Sequence, residues 1–146
     1  MTVAAGGNNG FGAFYSEHVN WASARLGGGT MTTGSRPLIV CLCGSTDLMD
    51  KFAEVNRDET LNGYIVLSVG VNMKAQDASQ TFLKGKSEAE VAIIKDKLDW
   101  LHRRKIDLAD VVVVLKTTGK DLGESTRKEK EYAERSGKRV EIREFP

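Results

Sequence analysis

The sequence predicts an α/β domain: a short parallel sheet of about four strands in the order 2-1-3-4, with helices on both faces in a three-layer sandwich. Three observations lead there. Apolar, β-branched runs at residues 38–43, 64–69 and 108–115 read as strands buried on both faces. Segments with helical spacing lie between them, and the alternation of strand and helix favours parallel pairing. Right-handed crossovers then make 2-1-3-4 the natural strand order.

The elements follow in chain order. Residues 1 to about 35 collect Gly6-Gly7, Gly10, Gly27-Gly28-Gly29 and Gly34 among Asn, Ser and Thr, which gives a flexible extension with little apolar surface to offset the entropy of ordering. Within it, residues 11–26 carry Phe14, Tyr15, Val19, Trp21 and Leu26. They form either a short docking helix or part of a disordered leader before Met31. Pro37 suits the first position of a strand, so the domain begins at about residue 36 with a strand at 38–43. Leu48, Phe52 and Val55 recur at helical spacing up to about Leu61, and Asn62-Gly63 ends that helix. A second strand covers 64–69 and ends at Gly70. Residues 71–86 read as a long polar loop, of the kind that often serves as a lid. Ser87-Glu-Ala-Glu90 is a capping box, and Val91, Ile94, Leu98 and Leu101 continue one apolar stripe to about Lys105. The third strand, at 108–115, leads through Gly119 and Gly123 into a charged helix. Gly137 is its expected C-cap, and residues 138–145 alternate as a half-exposed final strand.

Composition bounds the function. A chain of 146 residues supports one domain with a real core. Lysine and arginine number 21 against 20 acidic residues, so a net charge of +1 gives no footprint for nucleic acid or an anionic membrane. No apolar run approaches the roughly 20 residues that span a bilayer, and the N-terminus has no signal-peptide pattern, so a cytoplasmic protein is expected. Cys41 and Cys43 are neither a Cys-x-x-Cys redox pair nor half of a common zinc motif, and they read as packing. His18 and His102 are the only histidines, too few for a histidine-based centre, so no metal is expected.

In a parallel sheet, ligands sit outside the carboxyl ends of the strands where the strand order reverses. That places the crevice between Gly44-Ser45-Thr46 and the loop and helix from Gly123 to Glu129. Gly44, Ser45 and Thr46 offer backbone N–H groups and hydroxyls to an anion, though the same atoms serve as a helix cap. Gly85-Lys86-Ser87 is not a P-loop, because Gln80 stands where the first glycine is required and no strand precedes it. Glu129, flanked by Ser125 and Thr126, would project toward the crevice, where it could attack an anomeric carbon. From spacing alone, Thr126-x-x-Glu129 reads more simply as a capping box. Asp99 and His102, at i and i+3, share one helix face and could act as an acid/base pair or form a plain surface contact. Asp107 and Asp110 bracket the entry to the third strand and read as capping and strand-edge residues.

Gly44-Ser45, Ala109-Asp110, the pattern Gly123-x-Ser-Thr-x-x-Glu129-x-x-x-Ala133 and Gly137-Lys138-Arg139-Val140 together resemble the nucleoside 2-deoxyribosyltransferase superfamily, which includes nucleoside 5'-monophosphate N-glycosidases. The resemblance covers about residues 38–145. It implies a flavodoxin-like, Rossmann-like fold and a nucleophilic glutamate at Glu129 that attacks the sugar C1'. It also implies substrate binding by Gly44, Ser45, Thr46, Ser68, Gly70, Gly123, Ser125 and Thr126. Family members usually carry an aspartate about two turns before the Ala-Asp pair, and here that place falls to His102, which with Asp99 would assist the departing base. The resemblance further implies a small-molecule nucleoside or nucleotide as ligand, no metal or organic cofactor, and a homo-oligomer. A non-catalytic nucleotide-sensing module and a structural protein using its N-terminal arm are the other readings.

Overall fold

In the computed structural model, residues 36–73 and 82–146 are described. The N-terminal extension and the middle of the predicted lid loop lie outside them. One compact unit runs from Leu38 to Pro146. Its elements are β1 (Ile39–Gly44), a 3-10 turn (Thr46–Leu48), α1 (Met49–Leu61), β2 (Ile65–Leu67), α2 (Glu88–Leu108), β3 (Val111–Thr117), α3 (Glu124–Arg135) and β4 (Arg139–Phe145). The four strands are all parallel in the order β2-β1-β3-β4, the predicted α/β architecture.

Register explains how the core divides. Val40, Leu42 and Gly44 pair with Val111, Val113 and Leu115, while Cys41 and Cys43 pair with Val112 and Val114. Because successive side chains in a strand point to opposite faces, the two sets line opposite sides of the sheet. α1 lies against the first set. The position a Cβ would take at Gly44 is 3.2 Å from Phe52 Cζ and 3.0 Å from the Leu115 carbonyl oxygen. A glycine is therefore needed where β1, β3 and α1 close together. The second set, with Val112, Val114, Ile106, Ala109 and Ala133, forms the core beneath α2 and α3.

Three element boundaries differ from the sequence reading. β2 is only three residues long, because Tyr64 N donates to Glu59 O at the end of α1, and the Ser68 carbonyl accepts from Lys105 Nζ at 2.6 Å instead of extending the ladder. α2 runs to Leu108, so this exposed leucine ends a helix and does not start a strand. β3 begins at Val111 after Asp110, whose carboxylate accepts from Ile39 N at 2.8 Å and ties the two central strands together. Gly137 adopts φ +73° just beyond α3, and its N–H donates to the Glu134 carbonyl, as expected of the residue that stops a helix.

Candidate active site

α3 starts one turn earlier than Thr126-x-x-Glu129 suggested. Its N-cap is Gly123, and Glu124 is its first residue. Thr126 is buried inside the first turn, and Glu129 stands beyond the turn whose N–H groups need capping. The capping-box reading of Glu129 is thereby corrected. Its carboxylate is turned inward, with the side chain only 16% exposed, and Oε2 lies 3.8 Å from His102 Nε2.

His102 comes from the middle of α2 and is itself buried. Its Nε2 meets Cys43 Sγ at 3.2 Å and Cys41 Sγ at 4.0 Å. Two thiols from alternate positions of β1, an imidazole from α2 and a carboxylate from α3 thus form one polar cluster within an otherwise apolar layer. The cysteines do pack, as their strand position requires, but they pack against a histidine. His102 and Asp99 do not form the anticipated pair. Asp99 is held by Lys95 at 3.0 Å, one helical turn away, and the ring of His102 is committed to the thiols.

The electrostatics of the cluster follow from burial and proximity. Burial pushes the Glu129 carboxyl above its ordinary range, and the neighbouring His102 offsets this only in part. For His102, burial works against the charged ring, but the hydrogen bond with Cys41 and the charge of Glu129 outweigh it and hold the ring above its usual value. Cys43 donates to Cys41, which brings the Cys41 thiol down to about 6, with His102 helping. The same hydrogen bond, together with burial, drives Cys43 upward.

Glu129 also reaches the wall of a pocket of about 280 Å³ between α2 and α3. Lys95, Asp99 and Arg103, each four residues from the next, present one face of α2 to it, while Ser125 and Lys128 face it from α3. Lys128 pairs with Glu124 at 2.8 Å, whereas Arg103 has no ion-pair partner among the described residues. With Asp96 and Glu124 the pocket carries four carboxylates beside its three cations, so it suits a small hydroxyl-rich ligand, any anionic group of which would be met by Arg103.

No protein-family model matches this chain, and neither does any curated protein.

Of the residues singled out from sequence, Glu129, Asp99 and Ser125 share this pocket. His102 lies behind its wall. Gly123 caps α3, and Thr126 is buried in that helix's first turn. Ser45 accepts from Asp47 N at 3.2 Å and caps the 3-10 turn that Thr46 begins. Gly44 packs as described above. Ser68 gives its carbonyl to Lys105, and Gly70 has open space where a side chain would be. Asp107 accepts from Tyr132 Oη at 2.6 Å, a tie between α2 and α3. Sequence reasoning missed Lys95 and Arg103, although their i, i+4, i+8 spacing with Asp99 marks one face of a helix. It also missed the approach of the cysteines to His102, for which residues some 60 positions apart carry no local signal.

Proposed function

We propose that this protein cleaves the N-glycosidic bond of a nucleoside, deoxynucleoside or nucleoside 5'-monophosphate, by hydrolysis or by transfer to a second base. The observation that carries the reading is the Glu129 carboxylate, desolvated on its inner side and open to a pocket of small-molecule size on the other. A Glu129 oxygen attacks C1' of the sugar, the C1'–N bond breaks, and its electron pair leaves with the base, which takes a proton from a pocket acid or water. Water or an incoming base then attacks C1' of the glycosyl ester and releases Glu129. Asp99 lines the pocket and is the better placed of the two α2 candidates to contact the base. His102, in contact with Glu129 from behind, orients the nucleophile and balances its charge. Arg103 and Ser125 are suited to a phosphate or sugar hydroxyl.

The reading includes a cytoplasmic enzyme working as a homo-oligomer. Ile93 and Trp100 on α2 are 67% and 54% exposed, an apolar surface near the pocket that a second copy would cover. No helix among the described residues is long and apolar enough to cross a membrane. A panel of nucleosides and 5'-monophosphates, assayed for free base by chromatography, tests the proposal. Glu129→Ala should lower base release by at least about 10³-fold, and activity that survives the substitution would refute the assignment.

One observation favours a second reading. With His102 Nε2 against Cys43 and the residue absent from the pocket wall, no histidine among the described residues faces a departing base, which suits binding without cleavage. Saturable binding of a nucleotide in calorimetry, with no base released over hours, would establish that alternative.

A further inference from the structure

The Cys41, Cys43, His102 and Glu129 cluster has a property that sugar chemistry does not require. The two sulfurs and one imidazole nitrogen lie within 4.8 Å of one another, all buried, with the carboxylate oxygen 3.8 Å from the nitrogen. Zinc bonds of about 2.3 Å to sulfur and about 2.0–2.1 Å to nitrogen or oxygen give tetrahedron edges of roughly 3.4–3.8 Å. The contacts of 3.2, 4.0 and 3.8 Å bracket that range. Modest side-chain adjustments would bring the two sulfurs and the imidazole nitrogen to coordination distances, whereas the Glu129 carboxylate lies outside that group and would have to rotate toward the sulfurs to join them. The ligands come from three different elements, β1, α2 and α3, and the i, i+2 spacing on one strand points both sulfurs the same way. Packing alone gives no reason to bury a histidine and a carboxylate against two thiols, since apolar side chains would fill the space without the desolvation cost.

We propose that Cys41, Cys43 and His102 bind one thiophilic divalent cation of the zinc class, with Glu129 as the fourth ligand. Two thiolates select a soft or borderline ion over magnesium or calcium, and the buried position favours a closed tetrahedral site. Binding draws the Glu129 carboxylate onto the metal and away from the pocket. Resting on the glycosidase reading, the corollary is that the metal-bound form is the inactive one, because the same oxygen cannot both coordinate the ion and attack C1'.

The test uses the full-length, reduced and metal-stripped protein, titrated with Co²⁺ as a spectroscopic probe and then with Zn²⁺. One equivalent of cobalt should produce a near-ultraviolet thiolate-to-cobalt band and the intense visible bands of tetrahedral cobalt, and zinc should bleach both. Cys41→Ser and Cys43→Ser should each weaken zinc affinity by more than the roughly 10–100-fold that follows loss of an outer-shell partner. Glu129→Gln should retain the thiolate band and alter the visible ones. Circular dichroism of each variant confirms that it is folded, and His102→Asn provides a second route to the same loss. A folded protein that gives no thiolate band with cobalt, or a band that persists in the Cys41→Ser/Cys43→Ser double variant, overturns the site. Base-release assays with and without zinc separate this outcome from the glycosidase reading. Equal rates in both conditions overturn the inhibitory corollary, whereas no base release in either, with the cobalt spectrum intact, refutes the enzyme assignment and supports the metal site.

Discussion

The two faces of the central sheet are built by alternate residues of the same strands, yet one is a conventional core and the other a buried polar device. Under α1, Val40, Leu42, Val113 and Leu115 meet Phe52 and Val55, and the charged group there, Glu59, is matched by Arg143 at 2.7 Å. Under α2 and α3, the same strands present Cys41 and Cys43 among valines, and the helices answer with His102 and Glu129. The first face uses its polar group to close a structure. On the second, the polar groups press against one another, so each shifts the proton affinity of the next. Pleating makes this separation possible: a change at an even-numbered β1 position tests stability, and a change at Cys41 or Cys43 tests the site.

Phe52→Ala gives the largest expected effect on the α1 face. This side chain is almost fully buried, and its removal should cost about 3–5 kcal/mol in chemical denaturation. Where the variant is still folded, cobalt binding by the cysteine cluster and ligand binding in the pocket should be unchanged. Altered cobalt spectra in folded Phe52→Ala would show that the faces are coupled through the sheet.

Arg143→Ala comes next. It removes the Arg143 ion pair from Glu59, whose side chain is 3% exposed, while Arg143 is itself 36% exposed. A buried carboxylate that has lost its ion pair should destabilise the domain by about 2–3 kcal/mol, toward the lower end of the range for broken buried pairs. The double variant Arg143→Met/Glu59→Leu should recover much of that loss, because apolar replacements remove the buried charge as well as the pair. A single variant as stable as the parent would mean that Glu59 has a sufficient second partner.

Gly44→Ala is smaller and tests where the faces meet. The new methyl would stand 3.0 Å from the Leu115 carbonyl oxygen and 3.1 Å from Leu115 Cβ, so backbone must move. Overpacking of this kind should cost about 1–3 kcal/mol, read from the denaturation midpoint. If Gly44 serves substrate instead, the variant will keep its stability and lose ligand affinity.

These positions also show what the sequence made legible. Uninterrupted runs such as Val111-Val-Val-Val-Leu115 specify a strand buried on both faces, and the strand-helix alternation led to the observed 2-1-3-4 order. Leu108 was misassigned because an apolar residue at a helix end and one at a strand start look alike locally. The two possible roles of Glu129 differed by where α3 begins. Gly123 fixes that start through backbone conformation, with no side-chain cap for a motif to reveal. The cysteine-histidine cluster depends on the crossing of α2 over β1, a tertiary fact with no spacing rule. Arg103 and Lys95 were hidden differently, as ordinary members of a charged helix until the pocket gave their face a meaning.

The smallest effect should come from a site that belongs to neither face. Ser87 Oγ accepts from Glu90 N at 3.2 Å, and the Glu90 carboxylate accepts from Ser87 N at 2.7 Å, closing the N-terminus of the helix that carries Asp99 and His102. Ser87→Ala should lower stability by about 1 kcal/mol, with no change in cobalt spectra or base release, since Ser87 lies twelve residues before Asp99 and fifteen before His102. Its pH dependence has a defined sign. Hydrogen bonds from Ser87 hold the Glu90 carboxyl below its ordinary value, so its contribution is present above the unfolded carboxylate range and fades as pH falls through the lower folded value. The difference in denaturation midpoint between parent and Glu90→Gln should accordingly narrow as the solution is acidified. A gap that stays constant with pH would mean that the box acts through geometry alone, and that the N-terminus of α2 is as indifferent to charge as the α1 face is to the chemistry beneath α3.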